Sequence, residues 1–389
     1  MKKILWVLIL ITSVGKAQLS EQAIISVLTC GPYDELYSAF GHSAFRIHDP
    51  VNNINIVCNY GTFDFNQPNF YLNFARGNNL YKLSIQDYQR FEDIYIYENR
   101  FIHEQVLNLT SDQKQKLFVY LQWNSKPENA SYYYDYFYDN CSTKIRDVLL
   151  EALGKDVIFD ESHITTDYTI RELTDFYLKK LPWGDLGIDI CLGLPMDKKA
   201  APLEYMFLPD YVESAFDHAS IVQNGLTVPL VKEKHITYEA RAAEPTKSLP
   251  HPLFLSSFIA LLAAGLAIWD LKRKKASIWF DIFLFGTAGL IGILLVFLWF
   301  FTNHQAAAKN FNLLWAFPVH FVVAIVMRKS SRWLTRYFLF TTILIAITLL
   351  SWPILPQMLH YALIPLVVAL GLRAFVQFYL RNRHSHETK

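Results

Sequence analysis

The sequence predicts an exported α+β domain followed by an all-α bundle of five transmembrane helices, and three observations carry that reading. First, long apolar runs occupy 253–269, 278–301, 313–327, 338–352 and 358–378. A charge at mid-bilayer costs about 2.5–3.5 kcal/mol, so the near absence of charge within the runs is what spanning requires. Second, the chain opens on Met1-Lys2-Lys3, an apolar stretch to Val14, and Gly15-Lys16-Ala17 before Gln18. That is the pattern of a cleavable signal peptide, because the run falls short of the ~20 residues a span needs. Third, strand-like alternation and helical periodicity interleave between these two regions. Composition agrees: with 52% hydrophobic and 15% aromatic residues in 389, the chain is too apolar for a purely soluble protein.

The expected organisation is a signal peptide at 1–17, an exported domain at 18–251, a five-helix membrane domain at 252–380 and a cytoplasmic tail at 381–389. The loops orient it. Lys272-Arg273-Lys274-Lys275, the basic residues between Arg328 and Arg332, and the tail fall on one side, whereas 302–310 and 353–357 fall on the other. The basic side is cytoplasmic. An odd number of helices then places 18–251 across the inner (cytoplasmic) membrane, in the periplasm, which the signal peptide indicates independently. The 36 Lys and Arg nearly balance the 35 Asp and Glu, so there is no basic field for nucleic acid.

In chain order, 23–29 alternates as a strand and Gly31-Pro32 turns into a short segment that delivers Gly41-His42. Strands at 42–47 and 55–62 form an antiparallel pair across 49–53. Further strands are expected at 80–85 and 101–107, around an aromatic-rich 88–97. A helix starts at Thr110, which forms a capping-box pattern with Gln113, and Leu117, Leu121 and Trp123 are its apolar contacts. The run from Tyr132 to Tyr138 reads as an edge or interface strand. An amphipathic helix follows at 167–180, then an irregular Gly- and Pro-rich segment at 182–197 bordering a cleft. Leu203, Met206, Phe207 and Leu208 are core candidates, 228–238 is a closing strand, and 239–251 is a polar linker.

The chemistry centres on Asn140-Cys141-Ser142-Thr143. Ile145, Val148, Leu149, Ala152 and Leu153 recur at helical spacing until Gly154, so Cys141 sits in the first turn of a helix capped by Asp139 or Asn140. A helix N-terminus favours thiolate over thiol. The competing reading is a small buried hydrophobe, the common fate of a free cysteine. What favours a nucleophile is Gly41-His42 opening a strand upstream, since a strand-borne histidine facing a helix-borne cysteine is the papain arrangement. Strand pairing brings Asn59 within reach of His42 to orient the imidazole, with His48 as the competitor. With Cys141 kept free, at most two of Cys30, Cys58 and Cys191 can pair, and Cys30 with Cys58 is the expected pair because both lie on strand-like segments.

The order histidine then Asn-Cys resembles the circularly permuted papain-like group that includes lecithin:retinol acyltransferase. Leu28-Thr29-Cys30-Gly31-Pro32-Tyr33-Asp34-Glu35-Leu36-Tyr37, Phe40-Gly41-His42, Asn59-Tyr60-Gly61-Thr62-Phe63, Asn140-Cys141-Ser142, Cys191-Leu192-Gly193-Leu194-Pro195-Met196-Asp197 and Phe207-Leu208-Pro209-Asp210-Tyr211 resemble the Lnb family of Bacteroidetes lipoprotein N-acyltransferases. Tyr33 departs from it, standing where a glycine is expected. The resemblance implies a phospholipid acyl donor, a lipoprotein amine as acceptor, and neither cofactor nor metal. Cys141 would be the nucleophile, His42 the base and Asn59 its orienter, with Asn140 or the Cys141 N–H stabilising the oxyanion. On the outer side of the membrane, Asn303, His304, Asn310, Asn312 and Trp315, together with His320 inside the third apolar run, form a polar group expected to bind a headgroup or the acceptor. Two other classes compete: a membrane-tethered cysteine peptidase or amidase with the same dyad, and a non-catalytic scaffold with Cys141 buried.

Overall fold

A computed structural model describes residues 18–63, 66–242 and 249–387. Residues 1–17, with the expected signal peptide and its cleavage point, lie outside the described residues, as does part of the 239–251 linker.

The N-terminal half is built on an antiparallel sheet of seven strands: β1 (Ile24–Cys30), β2 (His42–Asp49), β3 (Ile54–Thr62), β4 (Leu80–Asp87), β5 (Ile102–Leu107), β6 (Ser131–Tyr133) and, after three short strands, β10 (Val231–Tyr238). The spatial order is β10-β5-β1-β2-β3-β4-β6. The short strands β7 (Val157–Ile158), β8 (Ser220–Gln223) and β9 (Leu226–Pro229) make a second small sheet. The central strands β1, β2 and β3 carry apolar residues on both faces, so both faces of the sheet must be covered.

Helix α1 (Phe70–Arg76) follows β3, and α2 (Tyr88–Tyr97) packs Tyr88, Phe91 and Tyr95 on Leu28, Cys30, Ala44 and Val57 on one sheet face. The opposite face carries Ile25, Val27, Phe45, Cys58 and Tyr60. It is covered by α3 (Ser111–Asn124), α4 (Cys141–Leu153) and α7 (Pro209–His218). The Thr110–Gln113 capping box forms as expected. Leu117 and Leu121 are buried, whereas Trp123 is half exposed and lies off the core face. Met206, Phe207 and Leu208 are buried, and Leu203 is exposed.

The expected Cys30–Cys58 disulfide does not form, and all four cysteines are free. Cys30 lies opposite His42 on β2 and Cys58 opposite Phe45, so β2 runs between them. Two inter-strand spacings amount to roughly 9.6 Å, beyond the ~7 Å that a disulfide tolerates between Cα atoms. The two thiols also belong to opposite faces of the sheet.

The segment 182–197, expected to be irregular, contains a helix. After α5 (Ile170–Leu178), α6 (Pro182–Cys191) starts on a proline, which suits the first turn, and a 3-10 turn spans Leu194–Asp197. The two glycines of α6 made it read as loop. Leu186 and Ile190 instead pack on the core of the membrane half. Fully buried Arg171 ties the segment together, donating to Asp189 Oδ1 at 2.6 Å, Asp197 Oδ1 at 2.9 Å and the Leu192 carbonyl at 3.0 Å.

Beside Arg171, burial and the nearby Asp189 and Asp185 carboxylates push Asp175 up to about 8, against the pull of Arg171. In the unfolded chain this carboxyl ionises near its ordinary 3.8, so the folded state binds the extra proton between about pH 4 and 8 and loses stability as pH rises through that window. Asp175→Asn is therefore expected to raise the melting temperature by a few degrees at pH 8, with a shrinking gain toward pH 4. A thermal melt of the detergent-solubilised protein across that range checks it.

The C-terminal half has four helices long and apolar enough to cross a membrane: α8 (Pro252–Arg273), α9 (Ile278–Phe300) and, after α10 (Val319–Val326), α11 (Arg332–Ser351) and α12 (Ile364–Glu387). The expected third helix over 313–327 is not one helix. It is a bent pair, Gln305–Leu314 and Val319–Val326, meeting at 45°, and it makes a fifth crossing only if counted together. Pro318 stands at the break. The pair fits because α9 offers two glycines: a Cβ on Gly292 would stand 1.9 Å from the Ala316 carbonyl oxygen, and one on Gly289 2.1 Å from the Phe321 nitrogen. Helix α12 also continues through Glu387, into the segment read as a tail.

Candidate functional site

Cys141, His42 and Asn59 come from three separate elements and meet at one end of the sheet. The run of tyrosines ends in a tight turn, closed by an Asp135–Asp139 bridge and by the Asp135 carboxylate accepting from the Phe137 and Tyr138 N–H groups. The turn delivers Asn140 as the cap of α4. Its Oδ1 accepts from the Ser142 and Thr143 N–H groups at 2.9 Å each, and Thr143 Oγ1 accepts from the Asn140 N–H at 2.8 Å. Of the two capping candidates it is thus Asn140 that caps, while Asp139 pairs with Lys144 at 2.7 Å. Cys141 takes the first helical position, where backbone N–H groups point outward.

His42 opens β2 behind Gly41, whose φ of +79° suits glycine alone, since a Cβ there would come 2.6 Å from the Cys30 carbonyl oxygen. Its Nε2 is 2.7 Å from Asn59 Oδ1 on β3. An amide oxygen only accepts, so Nε2 carries the proton and Nδ1 is left for the thiol. His48 lies at the other end of β2, opposite Asn55.

The thiol's surroundings set it apart. Burial pushes Cys141 up, but the charge and hydrogen bond of His42, the Ser43 N–H and the Ser142 hydroxyl outweigh that and hold it below the ordinary thiol value. Cys30, Cys58 and Cys191 go the other way, all raised by burial, with Cys58 pushed up to about 12. Cys141 is therefore the one of the four thiols whose surroundings favour the thiolate, which weighs against the buried-hydrophobe reading.

Three neighbours escaped the sequence reading. Ser43 and Ser142 face each other at 3.3 Å beside the thiol. Gly61, with φ +84°, lets β3 pass so close that a Cβ would stand 3.4 Å from the Cys141 Cβ and 3.6 Å from the Tyr134 ring. The signal for Gly61 was its place inside a strand, where glycine marks a close approach.

The remaining site candidates are placed elsewhere. Asn140 spends its amide on the Tyr136 and Phe207 carbonyls, each at 2.8 Å, so it has no donor left for an oxyanion. Asn310 donates to the Ile190 and Cys191 carbonyls at 2.8 and 3.2 Å, and Asn312 to those of Asp189 and Ile190, while Trp315 Nε1 donates to Asn312 Oδ1 at 2.8 Å. Asn310 and Asn312 thus satisfy the last carbonyls of α6, with Trp315 holding Asn312 in place, and these buried side chains tie the two halves together. His320 is fully buried, its Nδ1 2.7 Å from the Tyr337 hydroxyl of α11. His304 reaches the N-terminal half, with Nε2 3.0 Å from the Phe74 carbonyl of α1. None of these five touches Cys141. A cavity of about 360 Å³ between Glu172, Asp197 and the 352–359 loop likewise lies away from it.

Neither a search of curated proteins nor one of solved structures returned a match. Two family models do match: the Lnb N-terminal periplasmic domain over residues 13–176 and the Lnb transmembrane domain over residues 244–385. With both halves matched in order and over most of its length, the chain belongs to the Lnb family and is a membrane protein with a periplasmic domain.

Proposed function

We propose that the protein is a lipoprotein N-acyltransferase that moves a fatty acyl chain from a phospholipid, through a thioester on Cys141, to the N-terminal amine of a lipoprotein. The observation that carries this reading is the Cys141–His42–Asn59 arrangement at the sheet end from which α1 departs, the helix that His304 bonds at the outer face of the membrane half. An ester donor resides at that level. The arrangement supports a permuted papain-like site, with histidine on a strand before cysteine on a helix, and the inner membrane is the bilayer that such a donor and a periplasmic domain imply.

In the first half-reaction, Cys141 Sγ attacks the ester carbonyl and its proton passes to His42 Nδ1. The C–O bond breaks, His42 returns the proton to the departing lysophospholipid oxygen, and a thioester remains. In the second, the lipoprotein amine attacks the thioester, His42 accepts its proton, and the C–S bond breaks to give the amide and free Cys141. Asn59 holds the imidazole tautomer throughout. The Cys141 N–H, which the Asn140 cap leaves untouched, is the oxyanion donor, a contact typically worth about 2.7–4 kcal/mol.

Intact mass of the purified full chain after incubation with a phospholipid of defined chains tests the reading. The expected result is a gain of one acyl group on Cys141, discharged on adding a lipopeptide with a free N-terminal amine. A protein that stays at its starting mass while cleaving a peptide substrate would replace transferase with peptidase.

A further inference from the structure

Helix α1 is the least conventional element of the periplasmic half. Its seven residues bury Phe70 but leave Tyr71 77%, Leu72 46% and Phe74 58% exposed. An isolated exposed ring is ordinary, but three large apolar side chains on two turns form a patch that calls for a partner.

The partner follows from where α1 is fastened. The Asn303 N–H donates to the Arg76 carbonyl at 2.8 Å, Asn303 Nδ2 donates to Asn78 Oδ1 at 2.6 Å, and His304 Nε2 lies 3.0 Å from the Phe74 carbonyl. Gly77, at φ +70°, allows the approach, since a Cβ there would be 3.2 Å from the backbone of Asn303 and His304. Asn303 and His304 follow directly on the outer end of α9, an apolar span whose last rings, Phe300 and Phe301, are themselves 62% and 69% exposed. The exposed face of α1 thus lies beside the end of a lipid-facing surface, at the depth where hydrocarbon gives way to headgroups. Short amphipathic helices at that depth bury their apolar face among lipid tails.

A row of rings leads away from this patch. Phe74 stacks with Phe70 at 6.4 Å, Phe70 with Phe63 at 6.0 Å, Phe63 meets Tyr81 at 5.2 Å, and Tyr81 stacks on Tyr134 at 4.2 Å. Tyr134 is the ring that meets Gly61 beside Cys141. The row is continuous from bilayer level to the thiol.

We propose that α1 is an interfacial lipid seat: its exposed face inserts among phospholipid acyl chains at the outer surface of the bilayer, and the Phe74-to-Tyr134 row is the wall along which one chain approaches Cys141. The use of the row rests on the acyl-transfer reading, whereas the seat does not.

The test uses the full chain with Cys141→Ser, so that no turnover is required, in nanodiscs of phosphatidylethanolamine and phosphatidylglycerol. The photoreactive p-benzoylphenylalanine replaces Tyr71 in one protein and Leu72 in another. A third carries it in place of Leu226, which is 69% exposed in the small sheet beyond the far end of α4. After irradiation, intact mass is expected to show a phospholipid adduct at least fivefold more abundant at 71 and 72 than at 226. Equal or absent adducts at all three positions, or a covalent dimer at 71 in place of lipid, would overturn the seat. A lipid adduct at 71 and 72 in a protein whose active form never acquires an acyl group would keep the seat and remove the acyl-transfer reading instead.

Discussion

Cys141→Ser is expected to bring acyl transfer to background, and His42→Ala to lower it by about 10²–10⁴-fold, the usual contribution of a positioned base, while both proteins still fold and insert. The basis is that the two residues work as one unit: the imidazole bonds the thiol and lowers it, and the Asn59 amide holds the ring. The double mutant should therefore be little worse than Cys141→Ser alone. The same geometry sets a pH signature that does not depend on turnover. A thiol held below its ordinary value keeps more thiolate at any given pH, so Cys141 should react with iodoacetamide at neutral pH while Cys30, Cys58 and Cys191, all raised by burial, stay unlabelled in the folded protein. In His42→Ala the chief lowering influence is gone and the pH–rate profile should move to higher pH. Fast transfer in Cys141→Ala, or labelling of Cys141 no faster than of its three companions, would contradict the mechanism.

How far the site was legible depended on whether its cause was local. A capped helix start and a strand pair across a four-residue turn are written in adjacent residues, so the helix-start place of Cys141 and the His42–Asn59 pair follow from local pattern, whereas setting His42 against Cys141 rests on the papain arrangement. The roles of Asn310, Asn312 and Trp315 do not follow from local pattern. Polar residues at the outer end of an apolar run look alike whether they meet a ligand or the carbonyl end of a helix more than a hundred residues away, and only the docking of α6 decides. The same non-local cause hid α6 itself, since its glycines argue for loop until the membrane half supplies a surface to pack on. The bend in the third apolar run was likewise invisible to hydropathy, which counts apolar residues and not the glycines of α9 that admit a backbone at close range. The disulfide expectation fails because two cysteines on strand-like segments do not reveal which strand lies between them, and here it is β2.

Hydropathy also passed over two charges inside the apolar runs, and they carry the second large expectation: Arg373→Met should destabilise the membrane half by about 3–5 kcal/mol, the cost of leaving a buried charge without its partner. Arg373 on α12, Asp281 on α9 and Asp270 on α8 are each fully buried. The guanidinium donates to Asp281 through Nε at 2.5 Å and Nη2 at 2.9 Å, and Nη2 also reaches Asp270 at 2.7 Å. Their fates on losing Arg373 differ. Asp270 keeps the Ser277 N–H and hydroxyl and a bond from Arg273, whereas Asp281 keeps only the neutral amide of Gln377. The penalty therefore falls mainly on Asp281, and Asp281→Leu added to Arg373→Met should recover more than half of it by removing the stranded carboxylate. Denaturant titration in detergent measures both steps. Because these residues join three helices at the basic-loop end of the bundle, far from Cys141, the fraction of folded protein should fall in Arg373→Met while the transfer rate per folded molecule stays unchanged. A loss below about 1 kcal/mol would mean the triad is solvated, and a double mutant no better than the single would mean that packing of the arginine stem, not charge, is what α12 contributes there.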